Sequence, residues 1–275
     1  MDQLLTNPAF QSSIIPFTAA LVSLLILRPA GGYWSGLALL VGFYAAVHFI
    51  VGLQFLPFIS HTRKIFALGI AAAVIGMIID FFPVPRKYHL GILAVASISA
   101  VLWIIWPNLM RKEGFDMVIF VILAPLYVTW LVITSENKRL VQPGLLAVLF
   151  SLAVGTSISA LLGATALHGQ LAGAIAAASG AFVLLGLLNQ NTTLGTSFTF
   201  PLSLLLGLIG TAAVIYASLP WYILAILGSV MLLPGVPIPA KLGRVKTLLV
   251  MLALSLLIVM VAIGLTWQSE GAPPI

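Results

Sequence analysis

Residues 168–188 read HGQLAGAIAAASGAFVLLGLL, and this stretch decides the fold class. It contains no Asp, Glu, Lys or Arg over 21 residues. A helix rises about 1.5 Å per residue, so a helix of this length matches the hydrocarbon thickness of a bilayer. Gly169, Gly173 and Gly180 place small residues on one stripe, which lets a second helix approach closely in lipid. The stretch therefore predicts a membrane helix that packs inside a bundle.

Apolar runs of this kind recur along the whole chain. Its 275 residues are 61% hydrophobic and only 7% charged, whereas a soluble domain carries roughly a quarter charged residues. Lipid must cover the surface that so few charges leave apolar. Ala, Leu and Gly dominate the runs without alternation, which argues against the strands of a membrane barrel. We predict an all-α, polytopic transmembrane helix bundle with short loops, in which residues 1–275 form a single integral membrane domain.

The apolar runs divide into ten predicted helices. They cover residues 14–28, 35–53, 65–82, 89–107, 117–134, 143–163, 167–188, 199–217, 220–234 and 246–267. The first and the ninth are short for a membrane span, so nine helices is the alternative. Pro125 lies inside the fifth helix, where its missing N–H frees a carbonyl and predicts a kink. We assign Pro125 and the three glycines above to gating or packing.

Basic residues between the runs indicate the orientation. We name the side of the N-terminus side A and the opposite side side B. The predicted side-A loops carry Arg63, Lys64, Arg111 and Lys112, and the side-B loops carry Arg28, Arg86, Lys87, Lys138, Arg139, Lys241, Arg244 and Lys246. Cytoplasmic loops are enriched in Lys and Arg. We therefore predict a bacterial cytoplasmic (inner) membrane protein whose loops 28–35, 83–89, 135–143 and 235–246 face the cytoplasm.

The sequence lacks the motifs of the common enzyme classes. It has no cysteine, which excludes disulfides, thiolate metal sites and cysteine nucleophiles. It has no GxSxG, no HExxH and no Gly-rich loop followed by Lys. The net charge of +6 comes from scattered loop residues rather than from a basic face, which argues against a nucleic acid partner. We expect no enzyme activity, no cofactor and no bound metal.

His48 is the titratable side chain that lies deepest inside an apolar run, in GFYAAVHFIVG at residues 42–52. Polar groups are costly in lipid, so we predict that it binds substrate; the alternative is a packing histidine bonded to a carbonyl. Asp80 is expected at headgroup level near Arg86 and Lys87. The other acids are expected in loops or tails: Asp2, Glu113, Asp116, Glu136 and Glu270. The sequence therefore predicts no membrane-embedded acid for ion coupling.

The remaining histidines have no metal or haem spacing motif. His48 and His168 are both expected toward side A, at a similar depth in the membrane, so they could lie opposite each other. Nothing in their spacing supports a haem site. We expect both His61 and His89 in a loop or at the membrane interface, His61 on side A and His89 on side B.

Residues 189–199 read NQNTTLGTSFT. This is the most unusual polar segment of the chain, because it is rich in amides and hydroxyls but contains no charged residue. Uncharged amides and hydroxyls can bind a neutral solute or line the entry to a cleft. The alternative is an ordinary loop that caps the next helix. The predicted substrate-binding residues of this segment are Asn189, Gln190, Asn191, Thr192 and Thr193.

These features predict a transporter or permease for a neutral or weakly charged small solute. The alternative is a non-catalytic accessory or structural subunit of a larger membrane complex, because no nucleophile or ligand cluster is evident. A third reading, an intramembrane enzyme that acts on lipid, would require His48 or Asp80 to line a cavity open to one leaflet. The expected partners are the lipid bilayer, a small solute and, in the second reading, other membrane subunits.

Overall fold

The computed structural model describes residues 7–52, 60–82, 84–109, 115–190, 193–236 and 242–270. These residues form ten main helices, in chain order α1 Ile14–Leu27, α2 Gly32–Ile50, α3 His61–Phe81, α4 Arg86–Leu109, α5 Phe115–Asn137, α6 Gln142–Gly163, α7 Ala166–Leu187, α8 Thr196–Ala217, α9 Trp221–Ser229 and α10 Gly243–Glu270. A short helix Pro8–Ser12 precedes α1, and a 3₁₀ turn Val230–Gly235 continues α9. No strand occurs in the described ranges. The predicted all-α bundle of ten helices is confirmed.

Eight of the described helical segments are long and apolar enough to cross a membrane. The first segment qualifies because the flanking short helices extend it to Pro8–Ala30. The two shorter apolar segments are Gly36–Ile50, within α2, and Trp221–Gly235, which includes α9. The ninth helix is therefore short as predicted, and α1 alone is also short, with 14 residues; it reaches span length only together with the flanking short helices.

Helix α8 is the most enclosed of the eight spans. Of the residues in its most apolar 18-residue stretch, 89% are buried. It packs against α3 and α5, and also against α2. Helices α6 and α7 pack together, α10 packs on α6, and α1 packs on α2 and α7. Because the chain crosses the bundle alternately, α3 runs from side A to side B and α8 runs antiparallel to it.

Glycines allow α2 and α3 to approach the first turn of α8. A Cβ atom on Gly76 of α3 would lie 2.7 Å from the carbonyl oxygen of Thr196, and one on Gly36 of α2 would overlap the backbone of Ser197. Pro201 lies inside α8 and lacks the N–H that would bond to the carbonyl of Ser197. Two neighbouring helices therefore contact the α8 backbone directly at this point.

The glycine stripe of α7 lies against α6. A Cβ on Gly173 would lie 3.0 Å from Oγ of Ser157, and one on Gly180 would lie 3.3 Å from the ring of Phe150. Gly169 lies against Leu161, and its carbonyl accepts a 2.8 Å hydrogen bond from Ser157. The three glycines thus set the close spacing of the α6–α7 pair. Pro125 is buried inside α5.

Candidate functional site

The first turn of α8 is capped by a carboxylate from another helix. Asp80, near the end of α3, accepts hydrogen bonds from the backbone N–H groups of Thr196 and Ser197, each at 2.9 Å. Its side chain is only 4% exposed. The first N–H groups of a helix have no partner within the helix, and the helix dipole favours a negative charge there. Asp80 therefore satisfies α8 at a place where the N-cap residue, Gly195, has no side chain.

Arg139 joins two acids at this site. Its Nη1 atom lies 3.1 Å from Oδ1 of Asp80 and 3.2 Å from Oε1 of Glu136, and it donates to the hydroxyl of Thr196 at 2.5 Å. The side chain of Arg139 is 30% exposed, whereas that of Glu136 is 5% exposed. The guanidinium thus enters from side B and covers two enclosed carboxylates.

Glu136 has several partners in the group. It accepts hydrogen bonds from the hydroxyls of Thr199 at 2.8 Å and Thr196 at 3.3 Å. Nε2 of His89, from the first turn of α4, lies 3.5 Å from Oε1 of Glu136. We name this group of six residues the side-B network: Asp80, His89, Glu136, Arg139, Thr196 and Thr199. It connects α3, α4, α5 and α8.

Two expectations about these residues are wrong. Glu136 does not lie in a loop, because α5 continues to Asn137 and buries it. Asp80 has Arg139 as its partner rather than Arg86 or Lys87, because the residues after α5 turn back toward α8. His89 lies at the side-B end of α4 as expected, and it is buried there. The bundle therefore does hold enclosed acids, although each lies near a helix end.

A second polar group lies at side A. His61 is the half-buried first residue of α3, at the side-A end where it was expected. Its Nε2 atom lies 3.3 Å from Nε2 of His168, and Nδ1 of His168 lies 2.6 Å from the hydroxyl of Thr165. The ring of Tyr216, near the end of α8, stacks on His61 with centroids 4.3 Å apart. We name these four residues the side-A cluster.

The side-A cluster supports two arrangements of its protons. In one, His61 donates to His168, which donates in turn to Thr165. In the other, Thr165 donates to His168, which donates to His61. Within the described ranges, no third His, Asp or Glu joins the pair to make a metal site.

The predicted site residues lie elsewhere. His48 is exposed on the outer surface of α2, where its ring contacts that of Phe49. Asn189 and Gln190 are exposed and line a side-B cleft between α6, α7 and α10. Its volume of about 20 Å³ has room for a single water molecule. Thr193 is exposed, and Asn191 and Thr192 lie outside the described residues. The structure does not bring His48 together with the 189–193 segment.

A large cavity opens on the flank of the bundle. It has a volume of about 890 Å³ and lies between α5, α8 and α9 in the side-A half. Its walls are mostly apolar and include Trp130, Ile215 and Trp221. Neither His48 nor Asp80 lines this flank cavity. Its walls suit an acyl chain or an apolar helix rather than a polar solute.

Sequence reasoning did not select the members of the side-B network, although a signal was present. Asp80, His89, Glu136 and Arg139 all fall at the side-B ends of neighbouring helices once the chain is threaded alternately. Their shared depth was a usable signal. Which of them pair depends on helix packing, which the sequence does not state. Thr196 and Thr199 lie in the polar segment that was selected, three residues or more beyond the residues chosen from it.

No protein-family model matches this chain, and no characterised protein matches it significantly. Function is therefore inferred from the two polar groups and the cavities.

Proposed function

We propose that this protein is a transporter or permease for a neutral or weakly charged small solute. The observation that carries the proposal is the placement of two polar groups at opposite sides of one antiparallel helix pair. His61 and Asp80 lie at the two ends of α3, and Tyr216 and Thr196 lie at the two ends of α8. Alternating access requires that one side of such a pair closes while the other opens.

The chemistry of the contacts supports this proposal. Hydrogen bonds in both groups join different helices, and water or a polar solute can replace them when the helices separate. Apolar packing offers no such replacement. An opening at either side therefore costs less than a break in the middle of the α3–α8 pair.

The middle of the pair supports a solute without a full charge. Residues 65–79 of α3 and 196–217 of α8 contain no Asp, Glu, Lys or Arg. Gly69 and Gly76 let α3 lie close to Leu205 and to the first turn of α8. The excess of bases favours a cytoplasmic side B in a bacterial inner membrane.

Solute uptake by proteoliposomes tests the proposal. The purified protein is reconstituted, and vesicle swelling is followed by light scattering after addition of glycerol, erythritol, urea, glucose or glycine. We expect faster swelling than in protein-free liposomes for at least one solute.

The variants test the 189–193 segment. Asn189 adopts a left-handed backbone with φ 55°, so Asn189→Gly removes the amide without strain. This change, Asn191→Leu and Thr192→Leu should abolish the uptake.

Leu188→Ala is the control, because Leu188 is the exposed apolar neighbour of Asn189. Normal uptake by the three variants would remove the 189–193 segment from the site. An absence of uptake for every solute would remove the transporter proposal.

The flank cavity favours a second candidate, an accessory subunit of a larger membrane complex. An apolar cavity of this size at the side of a bundle offers a surface for a helix of another subunit. Extraction in a mild detergent followed by native gel electrophoresis separates the candidates. A stable assembly with other chains favours the accessory subunit, and a monomer or homodimer counts against it.

A further inference from the structure

The charges of the side-B network do not balance. Asp80 and Glu136 supply two negative charges, and Arg139 supplies one positive charge. The carboxylates are enclosed, with side chains 4% and 5% exposed. An uncompensated charge is costly in an enclosed site, and the protein avoids that cost by binding a proton. One proton brings the group to neutrality.

His89 and Glu136 are placed to share that proton. Nε2 of His89 lies 3.5 Å from Oε1 of Glu136, so one proton between them makes either an ion pair or a neutral acid beside a neutral imidazole. Thr199 and Thr196 hold the carboxylate in place through their hydroxyls. Both members of the pair are at most 8% exposed, so the proton is shielded from bulk water while side B is closed.

The other charged groups near the pair either belong to the network or lie at its rim. Asp80, Arg139 and Arg86 are the other charged side chains that act on His89, and Arg86 also bonds to Asn137 at the rim. Lys138 lies toward Gly235 at the end of the 3₁₀ turn after α9. Helix α8 contributes hydroxyls and amides but no titratable group to the site. Arg86 and Lys138 therefore lie at the rim, outside the enclosed pair of acids and Arg139.

A metal cation is a poorer fit than a proton. The place between the two carboxylates is already filled by the guanidinium of Arg139. Within the described residues, no group of three His, Asp or Glu side chains converges on an open position. Arg139 thus occupies the place that a metal cation would take, and one proton would bring the network to neutrality.

We propose that Glu136 and His89 form the proton-binding site of this protein, and that the bound proton keeps side B closed. This proposal rests on the proposed transport function and names its coupling ion. With the proton bound, the network is neutral and holds α3, α4, α5 and α8 together. Loss of the proton leaves one excess negative charge, which is stabilised by water, so the side-B ends separate. Release of the proton toward side B therefore opens that side.

Cysteine labelling measures this opening directly, because the natural chain contains no cysteine. Ser203 is fully buried one turn below Thr199, and Ser203→Cys places a thiol beneath the network. Leu140→Cys, at a position 86% exposed on the same side, corrects for the effect of pH on thiol reactivity. The measured quantity is the labelling rate at position 203 by a water-soluble maleimide, divided by the rate at 140.

We expect this ratio to rise with pH by up to about tenfold per pH unit, because one proton is released on opening. Glu136→Gln makes the network neutral without a proton, so the ratio should be low and independent of pH. His89→Gln removes one acceptor, so side B should open at a lower pH than in the parent. The two variants move labelling in opposite directions, which a general loss of folding does not produce.

Asp116→Asn is the matched control. It makes the same acid-to-amide change at the other end of α5, about 30 Å from Glu136, and should keep the parent's pH dependence. A ratio independent of pH in the parent, or an unchanged pH dependence in Glu136→Gln, would overturn the proposal. A ratio that responds to sodium at fixed pH would assign the site to a metal cation instead.

The labelling experiment needs no solute, so the two proposals can fail separately. A flat pH profile together with measurable solute uptake would remove only the proton site. A pH-dependent opening without uptake of any solute would remove only the transport function.

Discussion

Gly76 fixes how closely α3 approaches the first turn of α8. A Cβ atom there would meet the carbonyl oxygen of Thr196 at 2.7 Å and the Cα of Ser197 at 2.8 Å. Both are backbone atoms, which cannot move aside as the end of a flexible side chain can. The position of Asp80, one turn further along α3, depends on the same approach. The side-B network therefore requires glycine at position 76, because a larger side chain would push α3 away from α8.

Gly76→Ala should lower the free energy of unfolding by about 1–3 kcal/mol, because the added methyl group forces the helices apart. Gly91→Ala is the control, since a Cβ on Gly91 of α4 meets no atom within 4 Å. Alanine favours a helix by about 1 kcal/mol over glycine, so Gly91→Ala should be neutral or stabilising. Unfolding by sodium dodecyl sulfate in mixed micelles measures both. Equal stability of the two variants would contradict the prediction.

The sequence predicts individual residues less well than helices. The apolar runs mark the helices because lipid selects for long stretches without charge, and all ten were found. Glu136 was missed because it lies at the end of such a run. A polar residue there marks the end of a predicted helix, and the sequence does not show whether its side chain is buried. His61 was missed for the same reason. Their roles depend on partners about 60 and 107 positions away, Thr196 and His168, which only packing brings near.

At the scale of elements, glycine contacts and hydrogen bonds both join pairs of helices. The α6–α7 pair and the α6–α10 pair each combine a close glycine contact with a hydrogen bond between the helices. The hydroxyls of Ser151 and Ser255 lie 2.6 Å apart with both side chains fully buried. Hydrogen bonds between membrane helices contribute on average about 0.6 kcal/mol. Small residues therefore set the spacing, and polar pairs add a modest preference for one partner.

A double-mutant cycle on Ser151→Ala and Ser255→Ala should give a coupling energy of about 0.6 kcal/mol, and at most about 1.7 kcal/mol. Ser97→Ala serves as the control in combination with Ser255→Ala. The hydroxyl of Ser97 bonds to the carbonyl of Leu93 in its own helix, so these two changes should be additive. Unfolding of the detergent-solubilised variants provides the free energies. Additive effects of the Ser151 and Ser255 changes would show that the bond contributes nothing to the pair.

At the scale of the whole molecule, the charged and histidine side chains that join helices in the described residues lie at the two sides, whereas the middle of the α3–α8 pair contains no Asp, Glu, Lys or Arg. The side-B network and the excess of bases lie on the same side. This arrangement places the enclosed acids at the side that the bases predict to face the cytoplasm. The orientation of the protein therefore decides toward which side of the membrane the proposed site releases its proton.

Two single cysteines test the sidedness. Leu140 is exposed at side B, and Ala166 is exposed at side A at the start of α7. A membrane-impermeant maleimide should label Ala166→Cys from outside intact cells and Leu140→Cys only in inside-out vesicles. The cysteine-free natural chain provides the background. Labelling of both positions from one face would contradict the antiparallel threading of α6 and α7, and exchanged labelling would reverse the orientation.

The capping of α8 by Asp80 has a consequence for biosynthesis. Helix α3 leaves the ribosome more than a hundred residues before α8, so the carboxylate is in place before the amides that bond to it are made. Helix α8 inserted alone would carry two unpaired N–H groups, each costing several kcal/mol in hydrocarbon. When α8 docks, it therefore meets an acceptor that is already in place. A chain that ends before residue 196 leaves Asp80 without these amide donors.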